Sequence, residues 1–316
     1  MSIGSRIRAR RLELGLSQRE LADRLGYGSR SAVANIESGR SELLASRLVS
    51  VARALDTSVE SLLTDLAPSG DLSLDLHANK GSRNAAIILA GGRSTRNLQN
   101  VPNQFVSVLG RPVVSWCLET YQQHPMIDDI VVVCLEGWEE VVTAYAVQSG
   151  VSKLRSVVRA GETGMMSVKG GFSRLEEMGY HDGDMVVVQE STRPLVTAEM
   201  ISRVLLACSR LGSATTCTSM SDSVQFVRNG SGGWLYVDRD SIVDLQSPDA
   251  FAFETLESVL GEAERLGRPM LQNSCAMLLD TLGHPLNFCE CSTTNMKIIR
   301  QEDLAVFEAL VRHRSV

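Results

Sequence analysis

The residues Ala85-Ala86-Ile87-Ile88-Leu89-Ala90 form an uncharged apolar run that leads straight into Gly91-Gly92-Arg93-Ser94-Thr95-Arg96. A run this short, bounded by glycine, reads as a strand buried on both faces. The pattern then alternates. Strands are predicted at Ile130–Cys134, Arg155–Val158 and Met185–Gln189, with helices near Pro112–Gln123, Glu139–Gln148, Ser167–Glu177 and Ala198–Leu211. Such alternation specifies an α/β domain: a Rossmann-like, mostly parallel sheet with helices on both faces. Ligands of these sheets bind at the carboxyl ends of the strands. A glycine loop directly after the first strand is where backbone N–H groups cradle phosphates. Taken alone, that loop is a weak signal.

The first 65 residues have a different period. Ile3, Ile7 and Leu14 share one helical face, and Gly15 ends that helix. Ser17-Gln18-Arg19-Glu20 fits a capping box opening a second helix, about Gln18–Leu25, which stops at Gly26. A third helix is predicted from about Ser29 to Glu37, followed by apolar-periodic stretches at Leu44–Leu55 and Val59–Leu63. Two short helices joined by a glycine-containing turn make a helix-turn-helix, whose second helix enters the major groove of DNA. Val33 and Ile36 are expected in the core. Ser29, Arg30, Ser31 and Asn35 are expected in the groove, where Arg matches guanine and Asn matches adenine. Gln18 and Arg40 complete the predicted DNA-contacting set, Gln18 as a phosphate-positioning residue. The bland alternative is a helical protein-interaction module that binds no DNA.

Charge supports the division. Residues 1–65 carry ten arginines against eight acids, a net +2, within a chain of 316 residues whose total is −6. The rest therefore carries −8, and such asymmetry is a mark of a nucleic-acid-binding module. Residues 66–83, broken by Pro68, Gly70 and Gly81, read as a linker, leaving 84–316 as the second domain. No apolar run approaches the roughly 18 residues that span a bilayer, and the arginine-rich start lacks a secretory signal. A cytoplasmic protein is expected, with no membrane partner. Seven scattered cysteines argue against a disulfide framework. Cys289-Glu290-Cys291 lacks the second pair a zinc site needs, so these read as buried thiols and no metal site is predicted.

Two family resemblances follow from the quoted text. Gly15-Leu16-Ser17-Gln18-Arg19-Glu20-Leu21-Ala22 and Ile36-Glu37-Ser38-Gly39-Arg40 resemble the Cro/C1-type (XRE-like) helix-turn-helix, which implies an internal Arg11–Glu37 ion pair. From Ala85 onward, the landmarks are Ala90-Gly91-Gly92-Arg93-Ser94-Thr95-Arg96, Pro102-Asn103-Gln104-Phe105, Leu109-Gly110-Arg111-Pro112, Ser167-Val168, Glu190-Ser191-Thr192-Arg193-Pro194, Val237-Asp238-Arg239 and Asn295-Met296-Lys297. In this order they resemble the sugar-phosphate cytidylyltransferases, chiefly the 2-C-methyl-D-erythritol 4-phosphate type of isoprenoid biosynthesis, with the ribitol-phosphate enzymes close by. The resemblance implies a GT-A-like nucleotidyltransferase fold. It also implies that Val224–Tyr236, with Asn229-Gly230 at its centre, is a β-hairpin arm clasping a second subunit.

By the same resemblance, Arg96 and Lys297 are the catalytic cations, and Asn103 stands where the family has a second lysine. Ala90, Gly91, Gly92, Gly161, Ser167 and Glu190 are the nucleotide-binding positions, and Arg193, Ser223, Arg239 and Asn273 the substrate-binding ones. Departures gather at the nucleotide side: Ser94 for a glycine, Gly164 for an arginine, and Glu190 and Thr294 for aspartates. Asn273 replaces a threonine on the sugar-phosphate side. An oriented cation beside a transferring phosphate is worth a factor of about 10²–10³ in rate. The sequence therefore points to a DNA-binding transcriptional regulator. Its second domain is expected to bind CTP or a sugar or polyol phosphate, as a homodimer, with weakened or lost catalysis. Magnesium is the one cofactor expected, and only with CTP. The alternative is an active nucleotidyltransferase in which another cation, Arg93 or Lys169, replaces the missing lysine.

Overall fold

The computed structural model describes residues 3–27, 29–37, 51–52, 54–55, 57, 82–219, 225–228, 230, 232–238, 241–266 and 274–314. The chain divides into two units, Met1–Ala78 and Asn79–Val316.

Three helices open the first unit: α1 (Ile3–Glu13), α2 (Gln18–Arg24) and α3 (Arg30–Glu37). Gly15 and Gly26 take left-handed φ values of 66° and 70°, the conformation that ends a helix at little cost for glycine. The capping box before α2 is complete. Ser17 Oγ accepts from Glu20 N at 3.2 Å, and Ser17 N donates to Glu20 Oε2 at 2.7 Å. Ile7, Leu21, Ala22, Val33 and Ile36 close a small core with Val51, Ala52 and Leu55. Arg11 and Glu37 are both buried and meet bidentately, at 2.6 Å and 3.1 Å. Burial alone would raise the Glu37 carboxyl, but Arg11 and Gln18 outweigh it and hold the group below its ordinary range. Of the predicted stretch Leu44–Leu55 only residues 51–52 and 54–55 are described, and the stretch Val59–Leu63 lies outside the described residues.

The second unit is built on a seven-stranded sheet. Its strands are β1 (Asn84–Ala90), β4 (Asp129–Cys134), β5 (Leu154–Arg159), β6 (Met185–Glu190), β7 (Ser213–Ser219), β10 (Val243–Ala252) and β11 (Phe288–Glu290). They lie in the order β11-β7-β10-β6-β1-β4-β5. The pairs β1–β4, β1–β6, β4–β5 and β7–β11 are parallel, while β10 runs antiparallel between β6 and β7. The central apolar strand is therefore β1, flanked on both edges as its uncharged sequence requires.

Helices cover both faces. On one side α4 (Val113–Gln123), α5 (Glu139–Gln148) and α7 (Ala198–Leu211) pack on Ala86, Ile88, Ile130 and Val132. On the other, α6 (Gly164–Glu177), α8 (Phe253–Arg265) and α9 (Cys275–Leu282) cover Ala85, Ile87, Val131 and Val133. Gly171 lets α6 approach β1, since a Cβ there would press on Ile87 at 2.7 Å. The final helix, α10 (Gln301–Arg314), buries Leu304, Phe307 and Val311 against Val106, Val113, Leu195 and Ile298 in a satellite core. Two short ladders complete the unit: β2 (Ser107–Val108) with β3 (Arg111–Pro112), and β8 (Gln225–Arg228) with β9 (Trp234–Val237).

Among the described residues the predicted elements recur, with differences of detail at two places. Helix α6 begins at Gly164 rather than Ser167, because the Thr163 side chain caps it by accepting from Met166 N at 3.1 Å. The predicted hairpin is present, its last pair being Arg228 with Trp234, so that residues 229–233 connect the two strands. No helix among the described residues is long and apolar enough to cross a membrane.

Candidate active site and nucleic-acid interface

The carboxyl ends of β1, β5 and β6 open into a cleft of about 510 Å³. Its wall on the β1 side is the glycine loop, residues 91–96; the opposite wall is the turn Gly161–Gly164 that starts α6. Gly91 is required by close approach, because a Cβ there would run into the Ala160 side chain. Gly161 is required likewise by Met166, whose Cβ a side chain at 161 would meet at 2.5 Å. The Ser167 hydroxyl accepts from Gly161 N at 3.1 Å and donates to Thr163 O at 2.9 Å, stapling this turn internally. Gln104, fully buried, donates both amide hydrogens to Ala90 O at 2.9 Å and Gly92 O at 2.8 Å. Gln104 thereby ties the end of β1 to the start of the glycine loop.

Positive charge enters from two places. Arg93 and Arg96 are exposed on the loop, Arg96 Nε lying 3.3 Å from Ser94 Oγ. Lys297 comes from the segment before α10, and its Nζ meets Glu190 Oε1 at 2.6 Å. Arg193 lies behind the cleft instead of in its lining. Its Nε donates to Glu190 Oε2 at 2.9 Å, Nη1 to Asn295 O at 2.9 Å and Nη2 to Leu245 O at 3.1 Å. The predicted substrate-binding Arg193 thus uses its donors on the protein and fixes Glu190 in place. Burial pushes the Glu190 carboxyl up, but Lys297 and Arg193 overcome that and hold it below its ordinary range. Asp249, on β10, takes the opposite course: burial, reinforced by the charge of Glu190, pushes it up to about 8.

Position 103 holds no cation. Asn103 is 3% exposed and its amide is hydrogen-bonded to neighbouring segments. Of the two proposed replacements, Arg93 lines the cleft, whereas Lys169 is not part of its lining and is ion-paired with Glu264 on α8. The loop positions Gly91, Gly92, Gly161 and Ser167, which the family resemblance singled out, come together with Glu190, Arg96 and Lys297 around the cleft. Ala90 ends β1 at the same place. Ser223, Arg239 and Asn273 lie outside the described residues, as does Arg40 in the first unit. The sequence reading gave no role to Gln104, Glu162 or Asp249; the first two line the cleft and the third is buried near Glu190.

In the first unit, α3 presents Arg30, Ser31 and Asn35 on its exposed side, with Val33 and Ile36 turned inward. The Ser29 and Ser31 hydroxyls lie 2.6 Å apart. Gln18 is half-buried and donates to Glu37 Oε2 at 2.8 Å, so its amide nitrogen braces the Arg11–Glu37 pair at the start of α2.

Comparison with known proteins agrees with this geometry. Residues 84–313 match the family model for 2-C-methyl-D-erythritol 4-phosphate cytidylyltransferase, and residues 7–62 match a helix-turn-helix family. Ribitol-5-phosphate cytidylyltransferase of Lacticaseibacillus paracasei is 31% identical over 233 residues, covering 73% of this chain and 99% of that protein. The 2-C-methyl-D-erythritol 4-phosphate cytidylyltransferase of Clostridium acetobutylicum is 24% identical, covering 74% and 99%. Among solved structures, 4-diphosphocytidyl-2C-methyl-D-erythritol synthase from Anaerococcus prevotii superposes with a TM-score of 0.63 at 20% identity, covering 73% of this chain and 99% of that one. With a glycine-loop cleft on the same sheet and a helix-turn-helix preceding it, the chain belongs to the 2-C-methyl-D-erythritol 4-phosphate cytidylyltransferase family and carries an N-terminal helix-turn-helix domain.

Proposed function

We propose that this protein is a DNA-binding regulator whose family domain binds a cytidine nucleotide and a phosphorylated polyol, and turns them over slowly or not at all. One observation carries the reading: the cleft keeps a glycine loop and the cations Arg93, Arg96 and Lys297, while position 103 is a buried neutral amide. Transfer of a nucleotidyl group relies on oriented positive charge to stabilise the phosphate in the transition state. Binding the ground-state phosphates needs less. Loop N–H groups would hold the phosphates, with Arg96 and Lys297 supplying charge; Lys297 would exchange its bond to Glu190 for a phosphate oxygen.

The cleft carboxylates are Glu162 and Glu190, and no three metal-ligating side chains converge among the described residues. Magnesium therefore fits this cleft only when the triphosphate and water provide most of its oxygen ligands, with Glu190 the nearest fixed carboxylate. When bound, it would add neutralising charge at the phosphates.

On DNA, Arg30, Ser31 and Asn35 would read base edges from the major groove. The β8–β9 hairpin exposes Phe226, Val227, Trp234, Leu235 and Tyr236, an apolar surface that supports pairing with a second copy. A dimer would place two reading helices on two half-sites. Ligand binding would change DNA affinity to the extent that the ligand prefers one dimer arrangement. Measuring DNA affinity with and without CTP and ribitol 5-phosphate tests this, and identical affinities would refute the regulatory coupling. A second reading, a working cytidylyltransferase, is favoured by Arg93, which lines the cleft and could stand in for the missing lysine. Rapid pyrophosphate release that Arg93→Ala abolishes would establish it.

A further inference from the structure

We propose that Asn103 is a positioning residue: a buried amide strut that holds the loop bearing Arg96 and the segment bearing Lys297 in one fixed register. The proposal rests on the nucleotide-binding reading of the cleft. It differs from a simple loss of charge, because it gives the amide a task of its own.

The strut spans three segments. Asn103 N donates to Ser94 O at 2.9 Å, tying it to the glycine loop. Its Oδ1 accepts from Asn97 Nδ2 at 2.9 Å, and the same Nδ2 donates to Val101 O at 2.7 Å. On the other side, Asn103 Nδ2 donates to Ile299 O at 3.0 Å and, at 3.4 Å, to Ile298 O. Those carbonyls directly follow Lys297. A parallel tie runs from Leu98 N to Gln301 Oε1 at 3.0 Å. The Lys297 segment is held below by Ile298 N donating to Thr192 O at 2.8 Å, next to the turn that carries Glu190.

The chemistry demands an amide at this place. A lysine ammonium has donors but no acceptor and could not receive the Asn97 hydrogen bond. A carboxylate has acceptors but no donor and would face two carbonyl oxygens. Only a group with both, buried at 3% exposure, satisfies Asn97 on one side and the Ile298–Ile299 backbone on the other. The two cation-bearing walls, far apart in sequence, then move as one piece. Cations held at a fixed separation lose less entropy when a polyphosphate bridges them.

The first test needs no ligand. Hydrogen exchange is followed in the full-length protein and in Asn103→Asp and Asn103→Ala. Loss of one buried hydrogen bond should speed exchange about tenfold at amides of residues 94–101 and 297–301, with β1, β4 and β6 unchanged. Unchanged exchange in either segment overturns the strut; if Asn103→Asp fails to fold, Asn103→Ala carries the same readout. The second test is a double-mutant cycle with magnesium–CTP as the probe in calorimetry. Asn103→Ala and Lys297→Ala are each expected to weaken binding about tenfold, with the double variant no weaker than Lys297→Ala alone. Strictly additive losses overturn the proposal. Absence of CTP binding by the wild-type protein refutes the nucleotide reading instead, and the exchange result then decides the strut by itself.

Discussion

Glu190 holds two cations of unlike standing, and removing each should have a different consequence. Arg193 is 8% exposed and makes three hydrogen bonds, a buried one to Asn295 O and part-buried ones to Glu190 and Leu245 O. At about 1 kcal/mol for each bond, Arg193→Met should destabilise the second unit by about 3 kcal/mol, more if Glu190 is left under-compensated. Lys297 has its side chain 39% exposed and, among the described residues, pairs with Glu190, so solvent screening leaves this pair worth about 0.5–1 kcal/mol. A unit of this size shifts its melting temperature by about 2–4 °C per kcal/mol. Scanning calorimetry of the full chain should therefore show the larger unit's transition lowered by about 6–12 °C in Arg193→Met and by about 1–4 °C in Lys297→Met. Nucleotide binding should follow the reverse order. Lys297→Met should lose magnesium–CTP affinity, while Arg193→Met, below its transition, should retain most of it. Equal melting shifts, or loss of binding confined to Arg193→Met, would refute the division of labour between the two side chains.

Other outcomes follow from the same geometry. Arg30→Ala and Asn35→Ala should each weaken specific DNA binding by about 1–3 kcal/mol in fluorescence anisotropy on a selected operator, with melting unchanged in Arg30→Ala because that side chain is exposed on α3. Glu37 has a lowered carboxyl, so its contribution to the first unit is present above the ordinary carboxylate range and is lost as pH falls through the folded value. Urea titrations between pH 3 and 7 should show that loss, and Glu37→Gln should remove it while costing about 3–5 kcal/mol at neutral pH. Asp249 is raised to about 8, so its effect has the opposite sign: stability declines as pH rises from the carboxylate range to about 8. Asp249→Asn should flatten that decline, and a pH profile identical to wild type would contradict the buried, protonated carboxyl.

What was legible in the sequence was what local chemistry writes strongly. An uncharged run between glycines could only be an inner strand, and β1 is that strand. The Ser17–Glu20 box and the inward spacing of Val33 and Ile36 specified α2 and α3 because capping and amphipathicity act within one or two turns. The landmarks of the cleft were found through their family resemblance, and the fold gathers them at the carboxyl end of the sheet. Less legible was the use each side chain makes of its polar atoms. Arg193 reads as a substrate arginine in its turn, but the carbonyls of Leu245 and Asn295 that claim it are remote in sequence. Lys169 looked available until α8 placed Glu264 against it. Nothing around Asn103 or Gln104 in the chain marks them as braces, since their partners are backbone carbonyls brought there by the sheet. Asp249 carries no local signal either: its burial comes from the strands on both sides of β10.

Pyrophosphate release from magnesium–CTP with ribitol 5-phosphate or 2-C-methyl-D-erythritol 4-phosphate tests the central claim most directly, with Arg96→Ala as the control and calorimetry for binding in parallel. Saturable binding is predicted, with release no faster than about 10⁻² s⁻¹, 10²-fold below the slow end of the ordinary enzymatic range of roughly 1–10³ s⁻¹. Release within that ordinary range, abolished in Arg96→Ala, would contradict the account and make this protein a working cytidylyltransferase.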